Sequence, residues 1–169
     1  MKKPADTSVL VCSNLTGIAR TLRMALRGMG VRSIPLAMDE AQTLEGFATA
    51  EPDCVVIYVD GPDATDHGLQ MLKYIRRHEK SPRPQIPIVV VSPCRDLVTI
   101  NAVVNGGAHE YVLFPTSGDI LLKKIVAACT TQRPWIDRPD YFGPERRSDR
   151  ETQPAAERRA VDAADIPAK

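Results

Sequence analysis

Up to residue 130 the chain alternates short runs of aliphatic residues with segments whose apolar side chains recur at helical spacing. Residues 8–12 form the first apolar run, and residues 18–29 follow with Ile18, Leu22, Ala25, Leu26 and Met29 on one stripe, closed by Gly30. Residues 31–38 read as a weaker strand and Glu40–Ala50 as a helix. The near-continuous apolar runs at 53–59 and 87–92 are what a strand needs when both faces of a parallel sheet are covered. Helical segments at 69–78, 97–105 and 117–130, with a last strand at 110–114, complete the alternation. Five strands alternating with five helices predict an α/β fold, a doubly wound five-stranded parallel sheet. Right-handed crossovers leave few topologies open, and the loops at the carboxyl ends of the strands are where such a sheet forms a crevice. Those ends are Ser13 and Asn14, the segment 58–61, Ser92 and Phe114.

Bulk properties remove several classes of function. The 169 residues are 43% hydrophobic, enough for one domain with a core and a tail, and the formal net charge of +1 supplies no global field toward nucleic acid or membrane. The longest apolar runs are too short to span a bilayer, and the two lysines near the amino terminus precede no apolar stretch of signal-peptide type. Cys12, Cys54, Cys94 and Cys129 lie far apart with no CxxC pair, which fits reduced thiols. A cytoplasmic, monomeric protein without membrane contact is expected. His67, His78 and His109 form no metal-ligand spacing, and no nucleophile–base set is visible, so an enzyme is not expected.

The landmarks VLVCSN, PDCVVIYVDGP, IPIVVVS and GGAHEYVLFP resemble the CheY-like receiver domains of two-component signalling across roughly residues 7–130. Asn14 to Tyr58 is 44 positions and Ser92 to Phe114 is 22, in register with that family. The resemblance implies an acidic pair and an acceptor aspartate that bind Mg²⁺ and take up phosphate, with a Ser or Thr and a Lys on the phosphoryl group. At those positions this chain has Ser13 and Asn14, Tyr58, Ser92 and Phe114, with Tyr111 at the aromatic switch position and Pro115 kept. A hard cation needs anionic oxygens, and phosphoryl transfer needs positive charge where the oxyanion develops. Neither is supplied in register, so Mg²⁺ is not expected and the pocket reads as inactive. The rival is that Asp60 or Asp63, from a longer loop, substitutes as acceptor.

After residue 131 the periodicity stops. Residues 133–150, RPWIDRPDYFGPERRSDR, carry five arginines, the only tryptophan, a tyrosine and a phenylalanine. Pro134, Pro139, Gly143 and Pro144 are expected to break any helix or ladder there. The domains read as a receiver at 1–130, an arginine-rich ligand segment at 131–151, and a disordered tail at 152–169. Guanidinium groups interleaved with rings suit a flat, anionic, base-bearing ligand. Arginine can fork onto O6 and N7 of guanine while an aspartate accepts from N1 and N2 on the opposite edge. Arg138–Pro139–Asp140 and Arg147–Ser148–Asp149 are two such units. Trp135 and Tyr141 are expected to cover base faces, and Arg133, Arg146 and Arg150 to complete the contacts. Two units suit two guanines and two phosphates, which is cyclic di-GMP, as one molecule or a stacked pair. Phe142 and Trp135 have the alternative of docking back on the receiver body.

The segment also resembles the arginine-rich stretch that follows the receiver in CheY-like cyclic-di-GMP effectors of the flagellar motor, the Cle family. That resemblance implies dinucleotide binding by the stretch, docking of the liganded protein on the flagellar motor switch at the cell pole, and an effect on motility and surface attachment. Two other classes compete. A single-stranded nucleic-acid adaptor would use the same arginines, but the segment's acidic residues nearly balance them. A phosphorylation-independent protein-interaction receiver would bind its partner whether or not the dinucleotide is present.

Overall fold

The computed structural model describes residues 2–146; Arg147, Asp149 and Arg150, and the tail to residue 169, lie outside the described residues. Aliphatic runs become the sheet. β1 (Val9–Cys12), β2 (Leu36–Ala37), β3 (Cys54–Tyr58), β4 (Ile88–Ser92) and β5 (Glu110–Leu113) form one parallel sheet in the order β2-β1-β3-β4-β5. Every residue of β1, β3 and β4 is buried, as continuous apolar runs require.

Alternate side chains point to opposite faces and build two cores. Leu10, Val55, Ile57 and Val90 face Phe47, Leu72, Ile75 and Val103. Those partners come from α2 (Glu40–Ala50), α3 (His67–Arg77) and α4 (Leu97–Asn105). Val9, Val11, Val56, Val89 and Val91 face Leu22, Leu26, Leu121 and Ile125. These belong to α1 (Thr16–Gly28) and α5 (Gly118–Thr130). Four of the helices start where a short polar side chain accepts an otherwise unpaired amide: Asp39 from Gln42, Asp66 from Leu69, Asp96 from Thr99 and Ser117 from Ile120.

Two expectations are corrected. The strand expected over 31–38 shrinks to Leu36–Ala37. Here the carbonyls of Ser33, Pro35 and Ala37 accept from the amides of Val9, Val11 and Ser13, and Pro35 has no N–H to give back. Secondly, residues 133–146 are not a structureless extension. β6 (Trp135–Asp137) and β7 (Phe142–Pro144) pair antiparallel, with Trp135 opposite Pro144 and Asp137 opposite Phe142. Arg138 and Tyr141 exchange both backbone hydrogen bonds, at 2.8 and 3.2 Å, leaving Pro139–Asp140 as the turn. The expected breakers occupy positions a hairpin tolerates. Pro134 precedes β6, Pro139 takes the first turn position, where its fixed φ is favourable, and Pro144 ends β7. An isolated pair of three-residue strands is not stable in water. This one is held by docking on the amino-terminal ends of β4 and β5.

Candidate functional site

The sheet register places Ser13, Asn14, Tyr58, Ser92 and Phe114 at or just past the carboxyl ends of their strands. Tyr58, the last residue of β3, is 7% exposed and meets Phe114 edge to face, with ring centroids 5.9 Å apart. Its phenol donates to Asp60 Oδ1 at 3.2 Å. Burial, with the Asp60 carboxylate adding to it, pushes that phenol up to about 12. Ser13 is buried and its Oγ accepts from the Leu15 amide; Ser92 is buried and its Oγ accepts from Cys94. The hydroxyl of Tyr111 donates to the Cys94 carbonyl at 2.8 Å. The carboxylates of the following loop have local tasks. Asp63 accepts from the amide and hydroxyl of Thr65, and Asp66 accepts from Asp60 N and Leu69 N. Among the described residues no group of three His, Cys, Asp or Glu side chains could hold a metal ion.

The opposite end of the sheet carries the hairpin, and the joint centres on a buried cation. Arg76, in the last turn of α3, is 2% exposed. Its Nε and one terminal nitrogen donate to the Gly107 carbonyl at 3.0 and 2.9 Å. The other terminal nitrogen donates to Pro84 O at 2.6 Å and Ile86 O at 2.9 Å, and a fifth contact, 3.3 Å, reaches His109 Nδ1. All five N–H groups of the guanidinium are thereby used. Burial lowers its pKa from 12.5 to about 9, which leaves it charged at neutral pH. His109 Nδ1 also accepts from Ile88 N at 3.2 Å, so the ring is neutral with its proton on Nε2. Burial, and then the charges of Arg76 and Arg133, depress its pKa to about 3.

Trp135 completes the joint. Arg76 Cζ lies 5.1 Å from its ring centroid, Phe142 meets it edge on at 5.2 Å, and His109 lies tilted at 5.9 Å. Gly107, at φ +88°, faces Gly143. A Cβ on Gly107 would collide with the Phe142 carbonyl, and one on Gly143 would come within 2.7 Å of Gly107 Cα. Arg77 donates to Arg138 O at 2.7 Å and covers Phe142 at 5.1 Å, which pins the turn to α3.

The chain matches the response regulator receiver domain family over residues 9–126. It belongs to that family. Among solved structures, this receiver is similar to a CheY-like receiver domain protein from Methanospirillum hungatei JF-1, at 19% identity and a TM-score of 0.57, over 73% of this chain and 93% of that one. It is similar to the chemotaxis protein CheY4 of Vibrio cholerae at 20% identity and a TM-score of 0.59, over 72% and 98%. A response regulator from Burkholderia pseudomallei with a phosphorylated aspartic acid matches at 20% identity and a TM-score of 0.56, over 96% of this chain and 76% of that one. At such identities the likeness concerns the fold. No curated protein sequence matches the chain.

The residues expected to hold a ligand fall into three groups in this receiver. Arg138 and Asp140 are exposed together at the hairpin turn. Arg133, Trp135, Tyr141 and Arg146 serve the hairpin and its docking. Arg133 pairs with Glu110 at 3.2 Å, and Arg146 lies 3.9 Å over the Tyr141 ring and donates to Val104 O. Tyr141 is 6% exposed, and its hydroxyl donates to Pro144 O at 2.6 Å. In this conformation Arg146 and docking cover the Tyr141 ring, while Trp135 is half-buried with Arg76 over its ring. Arg147, Asp149 and Arg150 form the third group, outside the described residues. Sequence reasoning missed Arg76, Arg77 and Gly107, and read His109 only as belonging to no metal site. The signal for Arg76 was its place after Leu69 and Leu72 on the buried stripe of α3.

Proposed function

We propose that this receiver is a non-enzymatic effector that takes up cyclic di-GMP through its carboxyl-terminal arginine segment, with the Tyr58 pocket silent toward phosphate. The liganded protein then docks on the flagellar motor switch and tunes motility and surface attachment. The observation that carries the reading is the Arg138–Pro139–Asp140 turn. Arg138 and Asp140 are both exposed, two positions apart, on a hairpin closed by two backbone hydrogen bonds. That is the donor and acceptor set that reads both edges of one guanine. Because the hairpin is already folded, residues 133–146 need not be ordered by the ligand, and their share of the ordering entropy is not charged to binding.

The partner would meet the face built from α4, β5 and α5. Leu97, Val98, Leu113 and Ile120 are 73, 67, 41 and 50% exposed there, apolar surface that a monomer gains nothing by showing to water. The same patch supports a second reading, a protein-interaction receiver that needs no small ligand. Calorimetry separates the two. Changing Arg138 and Arg147 together to alanine is expected to weaken cyclic-di-GMP binding by a hundredfold or more, on the order of two charge-assisted contacts, with the far-ultraviolet circular dichroism unchanged. Unchanged affinity in that variant, or no heat from the parent protein, overturns the ligand assignment and leaves the second reading.

A further inference from the structure

A groove of about 540 Å³ runs beside α3 and α4 and is closed at one end by the hairpin turn. That volume lies in the range of small-molecule sites, roughly 300–1,000 Å³. Its floor is apolar, formed by Leu69, Leu72 and Gly106. Gly106 lets the end of α4 approach α3 closely, because a Cβ there would come within 2.5 Å of Leu72 Cδ2. One rim is a single face of α3, where Gln70, Lys73 and Arg77 follow each other at helical spacing. Pro139 and Asp140 of the turn form the end wall.

We propose that this groove is the receiver body's half of the dinucleotide site, with Lys73 as the phosphate ligand and Asp140 as the acceptor for a guanine edge; this rests on the cyclic-di-GMP reading above. The shape and the charges agree with that occupant. A flat purine needs an apolar floor, and a phosphate needs a cation at the rim. Lys73 is exposed and makes no hydrogen bond or ion pair with any described residue, so its ammonium has all three donors to offer. Arg77, one turn on, is engaged with the Arg138 carbonyl and the Phe142 ring, and acts as the positioning residue that holds the turn over the groove. An amide at the rim, Gln70, can bond either a base edge or a ribose hydroxyl. The arginine segment on this account does not bind alone: α3 supplies the cation and the floor, and the hairpin supplies the guanine reader.

The test is a calorimetric titration of cyclic di-GMP into the full chain, with the amide resonances of the protein followed in parallel. Lys73→Ala is expected to bind about tenfold more weakly, as loss of one charge-assisted contact requires, while Trp135 emission stays unchanged and Lys73→Arg keeps most of the affinity. The amides of Gln70, Lys73 and Gly106 are expected to shift in the parent protein on saturation. Should the parent bind and R138A/R147A weaken it, while K73A binds as tightly as the parent and the groove amides stay still, the groove assignment is overturned and the arginine-segment reading stands. If the parent protein gives no binding heat and no shifts, the reading itself fails and the groove goes with it.

Discussion

Arg76 is a buried cation with no carboxylate partner among the described residues, and the hairpin depends on how it is satisfied. Five donors meet three carbonyls and one imidazole nitrogen, and an aromatic face lies above. Arg76→Met would keep much of the volume and strand the carbonyls of Pro84, Ile86 and Gly107. Unpaired buried acceptors cost roughly 1–3 kcal/mol each, so a loss of about 3 kcal/mol or more in urea unfolding is expected. Arg76→Lys should not rescue it, since one ammonium cannot fork to both loops. His109 adds a pH dependence of definite sign. Its folded pKa, about 3, lies below the value of 6.5 for an unfolded histidine, so between these the unfolded chain takes up a proton that the folded one refuses. The contribution is complete above pH 6.5 and is lost as the pH falls toward 3, on the order of 5 kcal/mol across the window. An asparagine at position 109 can accept the same two hydrogen bonds without titrating. H109N should therefore show a flatter stability profile between pH 6 and pH 4 than the parent; parallel profiles would remove His109 from the account.

At the scale of elements, the parallel sheet was legible because burial on both faces forces unbroken aliphatic runs at β1, β3 and β4, and no other use of such runs fits so short a spacing. Helix starts were legible for the same local reason, an Asp or Ser that accepts a backbone amide. The hairpin was not. Strands of three residues carry no period, and Pro134, Pro139, Gly143 and Pro144 read as breaks, although each sits where a docked hairpin needs it. What stabilises the pair is tertiary, namely Trp135 against Arg76 and Gly143 against Gly107, and no local pattern records a contact 36 positions apart. Gly143→Ala tests this. Its Cβ would meet Tyr141 Oη at 2.6 Å and Gly107 Cα at 2.7 Å, both closer than packed atoms allow. The expected outcome is release of β6 and β7 from the receiver body, seen as a red shift of Trp135 emission, with the circular dichroism of the sheet and helices retained. An unshifted emission would mean that the Gly107–Gly143 approach does not hold the hairpin.

Across the whole molecule the two ends of the sheet differ in chemistry. A receiver that works by phosphorylation concentrates charge at the carboxyl ends of its strands; here that end holds Tyr58 edge on to Phe114, and the elaborated surface is at the other end. The groove along α3 and α4 joins them, since Pro62 and Ala64 of the loop after β3 line it together with Asp140 of the hairpin turn. This division predicts indifference to phosphoryl donors. The Tyr58 phenol, raised to about 12 and tied to Asp60, stays protonated at neutral pH and is a poor nucleophile. Ser13 and Asn14 offer no carboxylate to Mg²⁺, and Phe114 offers no charge to a developing oxyanion. Incubation with acetyl phosphate and Mg²⁺ is expected to leave the intact mass unchanged. A single Tyr58→Asp change should leave it unchanged too, because an acceptor without its metal ligands and its cation lacks most of the electrostatic stabilisation. Only when Ser13, Asn14 and Tyr58 all become aspartate and Phe114 becomes lysine should a phosphoryl adduct form. An adduct on the parent protein, mapped by fragmentation to Asp60 or Asp63, would return the activity to this end of the sheet.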